Sequence, residues 1–197
     1  MTPYTAVVLA GGAGRRLGGP GKPALPVAGR PLVHRVLEAV ADASPRVVVG
    51  PRTLPLPSGV VRVQEQPPGG GPVVAAAAGL TRVPPGTAYV ALLAADLPML
   101  TAAAVTALRR AVSGVDTDGA VYVDDGGIRQ WLCGMWRTGA LSAAVADAPA
   151  GSALRRVLAP LRVVELRSPA GAPPPWYDCD TETDLRRAEE WADDHAG

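Results

Sequence analysis

The sequence contains no phenylalanine and no asparagine, and it has two cysteines and one lysine. Cys133 and Cys179 lie far apart with no Cys-x-x-Cys pair, which argues against a zinc cage and against a disulfide framework. No hydrophobic run approaches the ~20 residues of a transmembrane helix. The formal net charge of +1 gives no basic field for holding a nucleic-acid backbone. These absences favour a partner that is small or locally bound.

The 197 residues are 48% hydrophobic and 19% charged, proportions typical of a folded protein rather than a disordered one. This length predicts a single domain over residues 1–197 that buries roughly 70% of its unfolded surface. The N-terminus runs directly into the apolar residues 6–10, without a basic region or a small-residue cleavage site. We therefore expect a strand there and a cytoplasmic location.

Short apolar runs alternate with helical patterns along the chain. Runs typical of buried strands occupy residues 6–10, 46–50, 60–65, 88–96, 120–123 and 162–166. Helical patterns begin near Pro31, Pro72, Thr101, Ala140, Ser152 and Thr181, and the first is expected to end at Ser44-Pro45. The segment 181–184 resembles a capping box. The alternation predicts an α/β fold, a three-layer α/β/α domain with a mostly parallel, Rossmann-like sheet, whose ligands bind beyond the carboxyl ends of the strands.

A glycine-rich loop with three cations follows the first predicted strand. Residues 9–23 read LAGGAGRRLGGPGKP. Backbone N–H groups in such a loop bind anions, and Arg15, Arg16 and Lys22 add enough positive charge to hold a triphosphate. A dinucleotide-binding fingerprint would need glycine in place of Leu17, and a P-loop would need glycine in place of Arg16. The loop therefore predicts a phosphate site of another kind.

Lys22 is the only lysine among 19 basic residues. Its ammonium is a compact point charge on a flexible stem, which a planar guanidinium does not replace at every phosphate site. A single lysine in a chain so rich in arginine therefore predicts a role in phosphate chemistry. The alternative is chance retention on a solvated loop.

A carboxylate ends the longest apolar run of the chain. Asp96 lies at the expected carboxyl tip of a central parallel strand, where ligands bind. Magnesium prefers one or two carboxylates together with phosphate oxygens and water, so this position suits a divalent cation. The alternative is that Asp96 caps the following helix, but Thr101 is better placed for that role.

The pattern LAGGxxxRLGxxxK at residues 9–22 resembles the signature of the nucleotidyltransferases, and most closely that of the molybdenum cofactor guanylyltransferases. The likeness continues in GRPLVH at residues 29–34. Weaker matches follow at 71–72, 96–98 and 180–185, so the resemblance spans essentially the whole chain.

This resemblance implies the nucleotidyltransferase fold and transfer of GMP from GTP to the phosphate of molybdopterin, with release of pyrophosphate. It implies Lys22, Arg16 and Asp96 as catalytic residues and Mg²⁺ as the cofactor, held by Asp96 and Asp180. For Asp180 the alternative is an acid that complements the dipole of the last helix. The residues implied to bind the nucleotide are Leu9, Ala10, Gly11, Gly12, Ala13, Gly14, Arg15, Lys22, Glu65, Gly71, Pro72 and Asp96. The implied partners are GTP, a molybdopterin-type small molecule, and molybdoenzymes or their chaperones, with no nucleic acid and no membrane.

The resemblance defines the residues that bind the acceptor and the nucleotide base less closely than those that bind the phosphates. Arg129 and Trp131 follow a predicted turn and are candidates to meet an acceptor phosphate and to stack on a pterin, with a structural role as the alternative for each. Residues 73–75 read VVA where the family has Leu-Ala-Gly, although Leu-Ala-Gly-Gly at 9–12 favours guanine over cytosine by family habit. A transferase for CTP or a sugar phosphate, and a non-catalytic nucleotide-binding protein, remain as alternative functions.

Overall fold

A seven-stranded sheet forms the centre of the computed structural model, which describes residues 2–11, 21–114, 116–149 and 151–194. The strands are β1 Tyr4–Leu9, β2 Pro26–Val27, β3 Arg30–Pro31, β4 Arg46–Val49, β5 Val60–Val63, β6 Tyr89–Ala94, β7 Gly119–Val123, β8 Arg129–Arg137 and β9 Val163–Leu166. The helices are α1 Leu32–Ala39, α2 Pro72–Leu80, α3 Ala102–Val112, α4 Thr138–Ala146, α5 Leu154–Leu158 and α6 Glu182–Asp194. A short 3₁₀ turn covers Lys22–Ala24.

The strand order is β5-β4-β1-β6-β8-β7-β9, and β2 pairs with β3 in a separate antiparallel ribbon. Only β8 runs antiparallel to its neighbours in the seven-stranded sheet. The predicted α/β fold with a mostly parallel sheet is thereby confirmed. Because β1, β4, β5 and β6 pair in parallel, their carboxyl ends meet at one edge of the sheet, which is called the carboxyl edge below.

Successive residues of the central strands face opposite sides of the sheet. In β1, Ala6 and Val8 pack in the core beneath α1 and α3, whereas Val7 and Leu9 pack in the core beneath α2, α4 and α5. Burial on both faces explains why these strands read as continuous apolar runs rather than as alternating ones. Within the described ranges, no helix is long and apolar enough to cross a membrane.

The first helix is shorter than the sequence predicts. It ends at Ala39 rather than continuing to Ser44-Pro45, and Pro31 belongs to β3 and caps the helix instead of lying inside its first turn. The physical reason lies in the sheet, because the N–H of Ser44 donates to the carbonyl of Tyr4 and the N–H of Ala6 donates to the carbonyl of Pro45. The chain must therefore leave the helix early to enter β4 beside β1.

Gly79 lies where α2 crosses the sheet, and a Cβ there would overlap Cγ1 of Val7 and lie 3.0 Å from Cγ2 of Val49. We expect Gly79→Ala to lower the free energy of unfolding by about 1–3 kcal/mol, because overpacking outweighs the gain in helix propensity. Gly139→Ala in α4 is the matched control, since nothing lies within 4 Å of its added Cβ. Denaturant unfolding should show no loss of stability for that control. A Gly79→Ala protein as stable as the control would contradict the close packing of α2 on β1.

Candidate active site

Two neighbouring cavities open at the carboxyl edge of the sheet. The first cavity, about 520 Å³, is lined by Leu9, Ala10, Gly11, Gly50, Pro51, Gln64, Glu65, Pro68, Gly69, Gly71, Pro72, Ala75, Ala94, Asp96 and Leu132. The second cavity, about 350 Å³, is lined by Pro72, Ala94, Asp96, Leu97, Arg129, Gln130, Trp131, Leu132, Cys133, Leu154, Arg155, Trp176 and Asp178. Asp96 lines both cavities, so a single carboxylate can face two different ligands.

The strand ends hold the residues of this edge in place. Sheet pairing continues beyond the strands, because the N–H of Ala95 donates to Leu9 (3.0 Å) and the N–H of Ala10 donates to Val49 (2.7 Å). Asp96 directly follows Ala95, whose backbone this pairing fixes. The carbonyl of Asp96 in turn accepts a hydrogen bond from the N–H of Cys179 at 3.3 Å. That bond joins the end of β6 to the segment that precedes α6.

Lys22 binds the two predicted metal-ligating carboxylates. Its Nζ lies 2.5 Å from Oδ2 of Asp96 and 2.5 Å from Oδ1 of Asp180, although Lys22 and Asp180 are 158 positions apart in the sequence. Burial lowers the pKa of Lys22, but hydrogen bonds to Asp180 and Asp96 and their negative charges outweigh burial, so its pKa lies above the ordinary lysine value. Lys22 is therefore an ammonium at neutral pH.

Asp180 is positioned by the cap of α6. Oδ2 of Asp184 accepts hydrogen bonds from the N–H groups of Asp180 (3.1 Å) and Thr181 (2.7 Å) and from the Thr181 hydroxyl (2.7 Å), while Oδ1 accepts from the Tyr177 hydroxyl (3.1 Å). The N–H of Asp184 donates back to the Thr181 hydroxyl, which confirms the predicted capping box. Desolvation opposes the charge of Asp184, but the hydrogen bonds from Thr181 and Tyr177 hold its pKa below the ordinary value. The role of Asp184 in holding Asp180 was not predicted, although the capping box signalled it.

The first cavity owes its shape to residues with little or no side chain. A Cβ at Gly11 would lie 3.3 Å from Oε1 of Glu65, and Gly71, at the start of α2, has φ +88°, a conformation that disfavours other residues. Glu65 is buried, and its Oε1 accepts a hydrogen bond from the N–H of Gly69 at 3.1 Å. The carboxylate therefore shapes the loop that leads into α2.

The structure brings most of the predicted nucleotide-binding residues together. Those that line the first cavity are Leu9, Ala10, Gly11, Glu65, Gly71, Pro72 and Asp96. Lys22 reaches the same place through its contact with Asp96. Five further predicted residues, Gly12, Ala13, Gly14, Arg15 and Arg16, lie outside the described residues.

Arg129 and Trp131 both line the second cavity, but each is engaged with other protein groups. The Nε of Arg129 lies 2.7 Å from Oε1 of Glu165, and its guanidinium carbon lies 5.5 Å from the ring centroid of Trp131. The Trp131 ring in turn stacks on the buried Trp136, with ring centroids 6.2 Å apart. The structural roles that the sequence left open are therefore present for both residues.

Sequence reasoning assigned no role to Arg155, Trp176 or Asp178, which also line the second cavity. Arg155 comes from α5 and belongs to no motif, whereas Trp176 and Asp178 precede α6 in the acidic segment of which only Asp180 was assigned a role. Burial raises the pKa of Asp178, and the negative charges of Asp180 and Asp96 raise it further. The junction of the two cavities is thus rich in carboxylates and favours cations.

The donors at this junction fit a hard divalent cation. Asp96 and Asp180 already share one cationic nitrogen, and Mg²⁺ typically takes one or two carboxylates and completes its coordination with phosphate oxygens and water. Among the residues that the structure describes, no group of three or more His, Cys, Asp or Glu side chains could hold a metal. The donor set therefore suits a metal that arrives with a phosphate ligand rather than one held by an all-protein cage.

Comparison with known proteins extends these observations. The sequence matches the model of the MobA-like NTP transferase domain over residues 6–166. It is 30% identical over 201 aligned residues to a molybdenum cofactor guanylyltransferase from Bradyrhizobium sp. (strain ORS 278), covering 97% of this chain and 94% of the relative.

Two solved structures share the fold. The first is molybdopterin-guanine dinucleotide biosynthesis protein A from Archaeoglobus fulgidus, with TM-score 0.73, 20% identity, and coverage of 96% of this chain and 99% of that one. The second is a protein of Mycobacterium tuberculosis in complex with manganese, with TM-score 0.72, 21% identity, and coverage of 96% of this chain and 98% of that one. Since the family model covers most of the sequence and the curated relative nearly all of it, the chain belongs to the MobA-like NTP transferase family.

Proposed function

We propose that this protein transfers GMP from GTP to the phosphate of molybdopterin and releases pyrophosphate. The observation that carries the proposal is the position of Asp96, which lines both cavities and contacts Lys22. Transfer of a group from one ligand to another needs two adjoining binding sites, with charged side chains where the two sites meet. The name of the relative from Bradyrhizobium, molybdenum cofactor guanylyltransferase, supports this choice of substrates.

The first cavity is assigned to GTP. Its glycines allow the nucleotide to approach the backbone closely, and Arg15, Arg16 and Lys22, which follow Gly11 in the sequence, are assigned to the phosphates. Glu65 is assigned to the base. A carboxylate offers only acceptor oxygens, and the guanine edge presents two adjacent N–H donors, a match that favours guanine over cytosine.

The second cavity is assigned to the acceptor. Trp131 and Trp176 supply aromatic surface, which suits a flat pterin ring. Because Asp96 lines this cavity as well, an acceptor bound there would place its phosphate beside the nucleotide.

The reaction forms a bond between an acceptor phosphate oxygen and the α-phosphorus of GTP, and it breaks the bond from that phosphorus to the oxygen of departing pyrophosphate. The acceptor phosphate is already ionised at neutral pH, so no general base is needed. Since both substrates are anions, catalysis depends on alignment and on charge neutralisation. The Lys22 ammonium supplies positive charge beside the reacting phosphates. Asp96 and Asp180 would hold Mg²⁺, which when bound neutralises charge on phosphate oxygens.

Pyrophosphate release tests this proposal when GTP or CTP is combined with molybdopterin or with a sugar phosphate. We expect release that requires GTP, molybdopterin and Mg²⁺ together, and that stops when a chelator removes the metal. Release with CTP, or with a sugar phosphate in place of molybdopterin, would contradict the substrate assignment. Nucleotide binding without release under every combination would show a non-catalytic protein.

A further inference from the structure

The second cavity contains two arginines whose charges differ in availability. Arg129 is held 2.7 Å from Glu165 and lies against Trp131, so its positive charge is already compensated. Arg155 lines the same cavity from α5 and is exposed. Its guanidinium has no hydrogen-bond or ion-pair partner within the part of the chain that the structure describes.

An anionic ligand in this cavity requires a positive charge that no protein carboxylate already compensates. Asp96 and Asp178 line the same walls, and their carboxyl groups repel a phosphate. Lys22 does not line this cavity, and its Nζ already lies 2.5 Å from a carboxylate oxygen of Asp96 and of Asp180. A guanidinium donates two parallel hydrogen bonds to phosphate oxygens, which makes Arg155 the group in this cavity best suited to bind one.

We infer that Arg155 binds the phosphate of the acceptor substrate in the second cavity, an inference that rests on the proposed function. The contact would overcome the repulsion from the cavity's carboxylates and hold the phosphate near Asp96. Arg129 instead keeps Trp131 in place. The acceptor recognised here combines a flat aromatic ring with a phosphate group.

A pair of neighbouring variants tests the role of Arg155. Arg155→Ala is expected to raise the KM for molybdopterin by about tenfold or more, since it removes a charge-assisted contact to the phosphate. The KM for GTP should stay unchanged, because Arg155 does not line the first cavity. Arg156→Ala is the matched control, since Arg156 is an exposed neighbour on the same helix that does not line the second cavity. Arg155→Lys should recover part of the lost affinity.

Direct binding separates this inference from the proposed function. Molybdopterin is titrated into each protein without nucleotide, and quenching of tryptophan fluorescence reports occupation of the cavity beside Trp131 and Trp176. Weaker binding by Arg155→Ala than by Arg156→Ala supports the inference even if GTP then gives no turnover, a result that would defeat only the proposed function. Equal binding by the two variants overturns the inference even if GTP-dependent turnover occurs. A wild-type protein that does not bind molybdopterin overturns both.

Discussion

Lys22→Met is expected to lower kcat by about 10²- to 10³-fold and, at the same time, to increase the affinity of the nucleotide-free protein for divalent metal. The loss of turnover follows from the role proposed for Lys22, since the substitution removes the ammonium assigned to neutralise charge beside the reacting phosphates. The gain in metal affinity follows because Asp96 and Asp180 lose the cation that both contact at 2.5 Å. We expect the affinity for metal to rise about tenfold. Removing the positive charge of Lys22 from beside the two carboxylates changes the electrostatic energy of a metal ion bound there by more than about 1.4 kcal/mol, even in a partly polar environment. Steady-state pyrophosphate release and titration with Mn²⁺ measure the two effects separately.

Lys22→Arg is the control for charge. It keeps a cation between the two carboxylates, so its metal affinity should stay near that of the wild type, while its turnover falls because a planar guanidinium does not reproduce the compact ammonium. A Lys22→Met protein with wild-type turnover would remove Lys22 from the chemistry. A Lys22→Met protein that binds Mn²⁺ more weakly than the wild type would show that Asp96 and Asp180 do not form the metal site.

Asp96→Asn is expected to reduce kcat by at least about 10²-fold and to weaken Mn²⁺ binding, the opposite effect on metal from that of Lys22→Met. Asparagine has nearly the same size but carries no charge, so one anionic ligand is lost while the shape of the junction is kept. The carbonyl of Asp96, which accepts from the N–H of Cys179, is unchanged by the substitution. The same kinetic and titration measurements apply, with circular dichroism to verify the fold.

Asp125→Asn provides the matched control for that variant. Asp125 is an exposed acid shortly after a strand, and it lines neither cavity. Turnover and metal affinity should stay at wild-type values. If Asp96→Asn behaves like Asp125→Asn, the junction of the cavities is not the reaction centre.

The strands of the sheet and the starts of two helices could be predicted because each leaves a pattern in a short stretch of sequence. Strands buried on both faces leave runs such as residues 88–96 with hardly a polar residue, and Thr101 and Thr181 mark helix starts by side chains that accept backbone N–H groups. The end of α1 was wrong because it depends on where β4 meets β1, a contact between distant parts of the chain. Local patterns carry no information about such contacts.

For the candidate site too, individual residues could be predicted from local patterns, but contacts between distant residues could not. Asp96 was predicted because the end of a buried strand is visible in the local pattern, whereas the contacts of Lys22 with Asp96 and Asp180 join distant residues, 158 positions apart in the case of Asp180. The ion pair of Arg129 with Glu165 was also missed, since β8 and β9 come together only by pairing on either side of β7. Arg155 carried no signal at all, because an exposed arginine in a helix usually needs no function.

The most direct test of the central claim follows the α-phosphorus of GTP. Wild-type protein is incubated with Mg²⁺, molybdopterin and GTP radiolabelled at the α-phosphate, and the products are separated and compared with the pyrophosphate released. We expect the label to appear in a molybdopterin dinucleotide in an amount equal to the pyrophosphate. Label that remains in GTP or is found only in free GMP, or that is transferred equally well from CTP, would contradict guanylyl transfer by this protein.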